Sequence, residues 1–570
     1  MNPLPFRIKI GVTGTIHDIP DPALLKERIR ILLGMEAWNK QLGLSHTIFS
    51  FFDRQNIKLL RSAKNTKPAF SIMTSLAEGS DQLVAEAILE IPGSKIEVIL
   101  PLRKSDYLKN KSVDSIQRFE HLYQQDPFPV SLSNKSIYEG QWNEVQLKHI
   151  RAKAYYNAGK YIVDQCDVII AVWDQEKAPG KGGTYDAIEY AKSVGRPMLV
   201  LNSKNLKAFP ERYGRCIDAS AIQHIDHLNS YQLSDSKKIA QEKEELDTYF
   251  DEEKYPILKS LQPGQLVHLK NILETYFVKT SYIANRFQSR FSWTGQLAYL
   301  LSTSAVIILL SSIIFHVLEQ VAFIIEFILL STIFGLIYRA HHHKVHSRWL
   351  EYRFLAERLR AIPYFYLAQQ EIIGAKAPSN SDARVKRGQW TIMIFAEIWY
   401  QLYSADHNTN QLNISSFNPE LKKYIQSSWI EGQLTFQNNY FKTNDQLNTF
   451  LEVGGRIIFA TAILCALTHL LLTYYLPHSR PITLQILTLL SLALPTVAAV
   501  LEGLRKQGEY SRNKNRSEGM IQSLETLYQK FNHVEEEDFN ALLREADITM
   551  LSETKEWMML MIPAELDYIC

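Results

Sequence analysis

Four long apolar segments, arranged as two close pairs, most constrain what this 570-residue chain can fold into. Residues 297–317 are followed by 321–338, and 457–476 by 482–501. Each run is about 18 to 21 residues long, and at roughly 1.5 Å of rise per helical residue it matches a hydrocarbon core of about 30 Å. Backbone groups find no water in that core, so runs of this kind span it as helices. The chain therefore reads as a multi-pass membrane protein. Its overall apolar fraction of 46% is ordinary for a soluble protein, which means that the spanning segments are a minority among polar domains.

Loop charges orient the segments. Within about 15 residues of the outer ends lie Arg286, Arg290, Arg339, Lys344, Arg348, Arg353, Lys442, Arg456, Arg505, Lys506, Arg512, Lys514 and Arg516, whereas the two short turns carry Arg480 alone. Both turns then face outward and both termini lie in the cytoplasm, so each pair dips through the membrane and returns. The start of the chain, MNPLPFRIKIGVTG, lacks the charged-then-apolar pattern of a secretory signal, which keeps the first part of the chain in the cytosol.

Net charge is only +2, without a run of Lys and Arg interleaved with aromatic residues, so neither gives a case for binding nucleic acid and no nucleic-acid partner is expected. Cys166, Cys216, Cys465 and Cys570 form no CxxC pair and have no His at zinc spacing, so no metal site is expected. His341, His342, His343 and His346 read as basic residues at the headgroup level.

Ahead of the first apolar pair, short near-continuous apolar runs alternate with helical periodicity. Strands are expected over 6–13, 70–75, 95–100, 167–173 and 197–201, and helices over 21–35, 81–89, 143–165 and 184–194. Apolar strands separated by helices imply a parallel sheet covered on both faces. The fold class is thus an α/β Rossmann-like N-terminal domain with a parallel sheet, followed by an all-α membrane region of two transmembrane helical hairpins and cytosolic helices. Residues 218–256 are polar and read as a mobile or helical connector. Behind it the chain repeats itself: Tyr276-Phe277-Val278-Lys279-Thr280 answers Tyr440-Phe441-Lys442-Thr443, Arg339 answers Arg505 and Arg353 answers Arg516, at offsets of 164, 166 and 163 residues. A duplicated hairpin unit explains the spacing. Between the hairpins, 346–367 and 389–403 read as cytosolic helices on either side of a polar loop at 378–381.

In an open parallel sheet, ligands bind beyond the carboxyl ends of the strands, against helix N-termini. Three loops there have suitable residues. Gly11-Val12-Thr13-Gly14-Thr15 follows the first strand. Ser75-Leu76-Ala77-Glu78-Gly79-Ser80-Asp81 links a strand to a helix. Gly180-Lys181-Gly182-Gly183-Thr184 follows the strand ending in Trp173 and opens another helix. None matches a Walker loop or GxGxxG. The ligand-binding candidates are Gly11, Thr13, Gly14, Thr15, Glu78, Gly79, Ser80, Asp81, Trp173, Lys181, Gly182, Gly183 and Thr184. Gly182, Gly183 and Thr184 form the phosphate cradle, because glycine N–H groups and a hydroxyl at a helix start are what a phosphate needs.

These three loops, with Asp164-Gln165-Cys166-Asp167, resemble the SLOG superfamily of Rossmann-like nucleotide binders, which includes the LOG phosphoribohydrolases and the DNA-processing protein A group. The resemblance covers about residues 6 to 202. Catalytic LOG enzymes carry a PGGxGTxxE motif whose glutamate serves cleavage; here that position is Ala187, which argues against hydrolysis, and no catalytic residue is assigned. The second half is similar to the SLATT family of membrane effectors in bacterial conflict systems. That likeness lies in the hairpin ending at Tyr338-Arg339, the stretch from Tyr352 to Arg360, and Trp390 with Glu397 and Trp399. The corresponding partition is a SLOG-like domain over 1–215, a connector over 216–275, a first SLATT-like unit over 276–405, a connector over 406–439 and a second unit over 440–570.

The resemblances imply an effector of a bacterial antiphage system in the inner membrane. It senses a nucleotide-derived second messenger, of cyclic-nucleotide or ADP-ribose type, and disrupts the bilayer as a pore; no cofactor is implied. Four helices per chain are too few to enclose a wide path. Swinging a gate from about 1:99 to 99:1 takes roughly 5.5 kcal/mol of differential binding, so a homo-oligomer is expected. Glu326, inside an apolar segment, and Pro495, in the last one, are pore or gating candidates. Arg353, Glu357 and Arg358 suit an ion-pair lattice between helices. The alternative is a membrane-tethered nucleotide or NAD hydrolase using Glu78, Asp186 or Glu189. A constitutive transporter fits poorly, since broken helices and midplane ionisable clusters are lacking.

Overall fold

A computed structural model describes residues 3–15, 19–109, 111–133, 135–140, 142–174, 182–206, 210–214, 217–372, 389–404, 418–475 and 481–561. Gly180, Lys181, Arg480, Cys216, Cys570 and the loop at 378–381 lie outside the described residues. The chain divides into two compact units: Met1–Gln232 with Ile373–Gln411, and Leu233–Ile372 with Leu412–Cys570.

The first unit is built on a sheet with seven described strands: β1 (Phe6–Gly14), β2 (Pro68–Thr74), β3 (Lys95–Leu100), β4 (Val130–Ser131), β5 (Val168–Trp173), β6 (Met198–Asn202) and β7 (Glu211–Tyr213), in spatial order β4-β3-β2-β1-β5-β6-β7. Every pairing is parallel except β6 with β7. β2 and β3 are buried along their whole length, so β2 is almost entirely apolar, while Lys95 and Glu97 at the amino end of β3 are buried charges that need partners. Helices α1 (Pro22–Leu33), α2 (Ser80–Leu89), α3 (Glu144–Gln165), α4 (Thr184–Ser193) and α5 (Ala221–Ser230) belong to the same unit. Asn143 and Gln146 close a reciprocal capping box at the start of α3. Gly11 has no room for a side chain, since a Cβ would sit 2.9 Å from Cys166 Sγ and from Ile162; it seats α3 on β1.

A further helix, Gln389–Ser404, returns to this unit from far along the chain. Read from sequence as a cytosolic helix within 276–405, it groups with the first unit and is held by charges at the amino ends of the strands. Glu397 accepts from Arg7 Nε at 2.7 Å and Nη2 at 2.5 Å, and Lys95 Nζ lies 3.7 Å away. Lys9 pairs with Glu97 at 3.1 Å, and Lys95 stands 4.5 Å above the Tyr400 ring. Aromatic faces complete the seat: His224 of α5 stacks on Trp390, and Phe128 on Trp399.

The second unit is helical. Among the described residues, four helices are long and apolar enough to cross a membrane: Gly264–Phe315, Glu319–His342, Pro419–Tyr475 and Ile482–His533. The apolar runs seen in sequence are thus the ends or middles of longer rods; the first, α6 (Pro263–Phe315), has 53 residues, about 80 Å at 1.5 Å each. It is followed by α7 (Glu319–His342) and α8 (Val345–Arg360), and later by α9 (Glu431–Tyr475), α10 (Pro481–Gln507), α11 (Tyr510–His533) and α12 (Glu536–Met561). Where α7 meets α8 the chain turns through Lys344 at φ 49°, and where α10 meets α11 it turns through Glu509 at φ 50°. A left-handed residue other than glycine at the same point of both halves is a backbone counterpart of the sequence repeat. Gln485 of α10 donates to the Ile314 carbonyl of α6 at 3.0 Å, and Thr488 lies 3.2 Å from His469 of α9. The stretch from Tyr352 to Arg360 forms ion pairs: Arg353 with Glu357 at 2.5 Å, and buried Arg358 with Asp547 of α12 at 2.9 Å.

Candidate functional site

β1 pairs with β2 on one side and β5 on the other, and connections leave it in opposite directions there. Helix N-termini diverge at such a reversal and leave a crevice beyond the carboxyl ends of the strands. A cavity of about 480 Å³ occupies that place, bounded by the ends of β1, β2 and β5, by α3 and by the start of α4. Its size falls within the range of small-molecule sites.

Of the residues singled out in sequence, Thr13, Gly14, Thr15, Asp81, Trp173, Gly182, Gly183 and Thr184 line this cavity. Their roles differ. A side chain on Gly14 would collide with Ser80 Oγ and press on the Val172 carbonyl, so this glycine permits close packing of α2 against β1 and β5. The Thr184 hydroxyl donates to the Gly14 carbonyl at 2.7 Å, tying α4 to β1. Gly182 has φ +95° and would clash with the Ala152 carbonyl if it bore a Cβ, and its N–H donates to Asp186 Oδ2 at 2.6 Å. Gly183 alone faces open space: nothing lies within 4 Å of a built Cβ. It precedes the first turn of α4, whose N–H groups lack intrahelical acceptors.

Gly11, Glu78, Gly79 and Ser80 stand outside the lining. Glu78 accepts from Ser112 Oγ at 2.5 Å. Gly79, at φ +97° and ψ −126°, supplies a conformation that only glycine tolerates before α2. Ser80 is buried, and its hydroxyl donates to the Thr15 carbonyl at 3.0 Å, joining two of the three loops. Lys181 lies outside the described residues.

Asp81 is 5% exposed. Burial pushes its carboxyl up to about 7 against the pull of the Thr74 hydroxyl, the Ala77 N–H and Lys111. Tyr107, also on the wall, is wholly buried within electrostatic reach of Asp81. The more open walls are aromatic: Trp173 and Tyr185 lie 6.0 Å apart, and Tyr155 and Tyr156 come from α3 with Gly159 and Lys160. Sequence reading missed this α3 wall because it took the helix as an amphipathic cover. The signal available was Tyr155-Tyr156 followed by Gly159-Lys160 at a spacing that returns to the same helix face.

Glu326 is half-buried within α7, and Pro495 lies inside α10. Among the described residues, no group of three or more His, Cys, Asp or Glu is placed to hold a metal ion. Compared with models of known protein families, the chain matches none, and no curated protein matches it in sequence.

Proposed function

We propose that this protein is a nucleotide-triggered membrane effector of a bacterial antiphage system. In this reading the strand-reversal cavity takes a nucleotide-derived signal, and its occupancy reorganises two transmembrane hairpins that open the inner membrane as a homo-oligomeric pore. One observation carries the reading: a single chain joins a ligand-sized cavity, lined by three glycine- and hydroxyl-bearing turns, to four helices of membrane-spanning length. The resemblance to SLOG and SLATT families supports it, as does the loop-charge bias that turns both hairpins outward with cytosolic helices behind them. The half-buried Glu326 and Pro495 are then candidates for the conducting or gating elements.

The test is dye release from liposomes containing the full chain. Release that begins only on addition of a cyclic or ADP-ribose-type nucleotide is the expected result; nucleotide consumption without release overturns it in favour of a membrane-tethered hydrolase. That second reading has one observation of its own. A carboxyl poised near 7 is suited to general acid–base work, and Asp81 lies on the cavity wall. The carboxylates considered from sequence are less suited: Glu78 is outside the lining, Asp186 holds the Gly182 N–H, and Glu189 pairs with Lys192 at 3.1 Å.

A further inference from the structure

The two hairpins end in elbows of matching geometry and different charge. Each passes from an apolar helix into the next helix through a left-handed residue, Lys344 between α7 and α8 and Glu509 between α10 and α11. α6 runs past both. Its Phe291 lines a small cleft with Ala340 and Lys344 at the first elbow, and a Cβ on Gly295, about 6 Å further along, would meet Gln507 at the second. The elbows thus stand at nearly one depth. α7 has 24 residues, about 36 Å, so its ends reach the two headgroup layers of a bilayer and the first elbow lies in one of them.

Around the second elbow the cations are neutralised within the chain. Arg505 pairs with Glu502 at 2.8 Å, Arg512 with Glu509 at 2.9 Å and Lys514 with Asp445 at 2.7 Å, and Arg456 pairs with Glu452. Around the first, Arg290, Arg339 and Lys344 are exposed and Arg348 is half-buried, and none of the four forms an ion pair among the described residues. The sequence repeat shows the origin of the difference. An offset of 166 residues matches Arg456 to Arg290 and Arg505 to Arg339, but it sets Asp445 against Lys279, Glu452 against Arg286 and Glu502 against Leu336. Glu509, at an offset of 165, falls on Lys344. No Asp or Glu occurs over 275–318 or 327–350.

Membrane orientation does not demand this loss of carboxylates, because acidic residues weigh little in the loop-charge rule. Helix electrostatics oppose it: Lys344 and Arg348 lie at the start of α8, where a helix dipole disfavours cations, and the second half places Glu509 there. Arg290 and Arg348 each stand 5.9 Å from the centre of the Phe287 ring, so guanidinium groups from α6 and α8 share one patch.

We propose that the first elbow binds an anionic phospholipid, whose phosphodiester supplies the negative charge that Glu502 and Glu509 supply at the second. This goes beyond the nucleotide reading and rests only on the chain entering a membrane. The patch adjoins the exposed Phe334 and Tyr338 of α7, against which the acyl chains of such a lipid lie, and this continuity selects a lipid over a soluble anion.

The test is native mass spectrometry of the full chain in detergent, titrated with phosphatidylglycerol and, separately, with phosphatidylcholine. Wild type binds phosphatidylglycerol at least tenfold more tightly. Each cation beside an anionic lipid surface contributes about fivefold in affinity. Arg290→Gln, Lys344→Gln and Arg348→Gln together therefore weaken phosphatidylglycerol at least tenfold and leave phosphatidylcholine little changed. The matched triple at the second elbow, Arg456→Gln, Arg505→Gln and Arg512→Gln, removes the same charge and changes the preference less than threefold. Equal binding of the two lipids by wild type, a loss below tenfold in the first triple, or an equal loss in both triples overturns the assignment. So does release of bound phosphatidylglycerol by millimolar inorganic phosphate, which marks a soluble-anion site. Thermal unfolding of the first triple in lipid-free detergent within a degree or two of wild type excludes a folding defect. Where it unfolds earlier, Lys344→Gln alone carries the test: about fivefold weaker binding supports the site and an unchanged affinity overturns it.

Discussion

Removing the carboxylate of Glu397 should destabilise the first unit severely, although the residue is remote from the cavity in sequence and lies with the amino ends of the strands. In Glu397→Gln the amide can still accept one hydrogen bond from Arg7, but two buried cations lose their counter-charge. Arg7, Glu397 and Lys95 have side chains 12%, 8% and 7% exposed. Charges about 4 Å apart attract by about 4 kcal/mol at an effective dielectric constant of about 20. Measured losses on breaking a buried pair by deleting one partner are about 3–5 kcal/mol, because an uncompensated charge stays behind. Glu97 pairs with Lys9 at 3.1 Å while also attracting Arg7 and Lys95, so it compensates the two cations only in part. Hydrogen exchange of the β1 and β3 amides in the full chain reads this directly: about 3 kcal/mol is two decades of faster exchange. Arg7→Met combined with Glu397→Leu should recover part of the loss, since both charges leave together. Acceleration of less than tenfold in Glu397→Gln, or a double variant worse than the sum of the singles, refutes the account. The pH dependence has a definite sign. Burial alone would raise the Glu397 carboxyl, but Arg7 and Lys95 outweigh it and hold it below its ordinary value. Its stabilisation is therefore present above about pH 4.3, the unfolded value, and is lost as pH falls through the lower folded value.

The two cradle glycines should separate cleanly. Gly183→Trp enters open space and should leave thermal unfolding within about 0.5 kcal/mol of wild type while abolishing the nucleotide-triggered dye release of the proposed function; retained release removes Gly183 from the site. Gly182→Ala meets the Ala152 carbonyl at positive φ and should cost about 2 kcal/mol or more of stability in a urea titration. Asp81 contributes with the opposite pH sign to Glu397. Its carboxyl, raised by burial to about 7 and facing Thr74, the Ala77 N–H, Lys111 and Tyr107, gives stability that is full below about pH 4 and lost as pH rises through about 7. Asp81→Asn should flatten that fall in the chain's unfolding free energy; an unchanged slope shows that another group produces it.

Much of the sheet could be read from local pattern, for reasons that show where such reading stops. β2, β5 and β6 are buried parallel strands in which burial on both faces writes a nearly continuous apolar run, and β1 and β3 keep such a run after the charges at their amino ends. β4, two residues long, and β7, a mostly exposed antiparallel edge, leave no such run. At the cavity, glycine and hydroxyl residues marked the turns, but not which of their groups remain open. Thr184 and Ser80 look alike in sequence as helix-start hydroxyls, and both hydroxyls serve backbone carbonyls. That α3 supplies a wall of the cavity through Tyr155, Tyr156, Gly159 and Lys160 depends on α3 lying against the start of α4, a tertiary contact no local pattern records. The returning helix was harder still: Glu397 and Arg7 stand 390 residues apart, and no periodicity records a partner at that separation.

That separation bears on how a ligand signal can travel. β1 has Arg7 near its amino end, joined to Glu397, and Thr13 and Gly14 at its carboxyl end on the cavity wall. One strand thus connects the cavity to the returning helix through unbroken backbone, paired in register with β2 and β5. In chain order the returning helix lies between the two segments of the second unit, 233–372 before it and 412–570 after it. A ligand that favours one arrangement of β1 by some free energy must favour the matching state of that helix by the same amount, and the helix must in turn alter ligand affinity reciprocally. The buried ion cluster makes this link stiff: a charge-paired seat has few alternative packings, because each one strands a charge. On the proposed function, a neutral seat, as in Arg7→Met with Glu397→Leu, should therefore leave nucleotide affinity near wild type while nucleotide-triggered dye release declines.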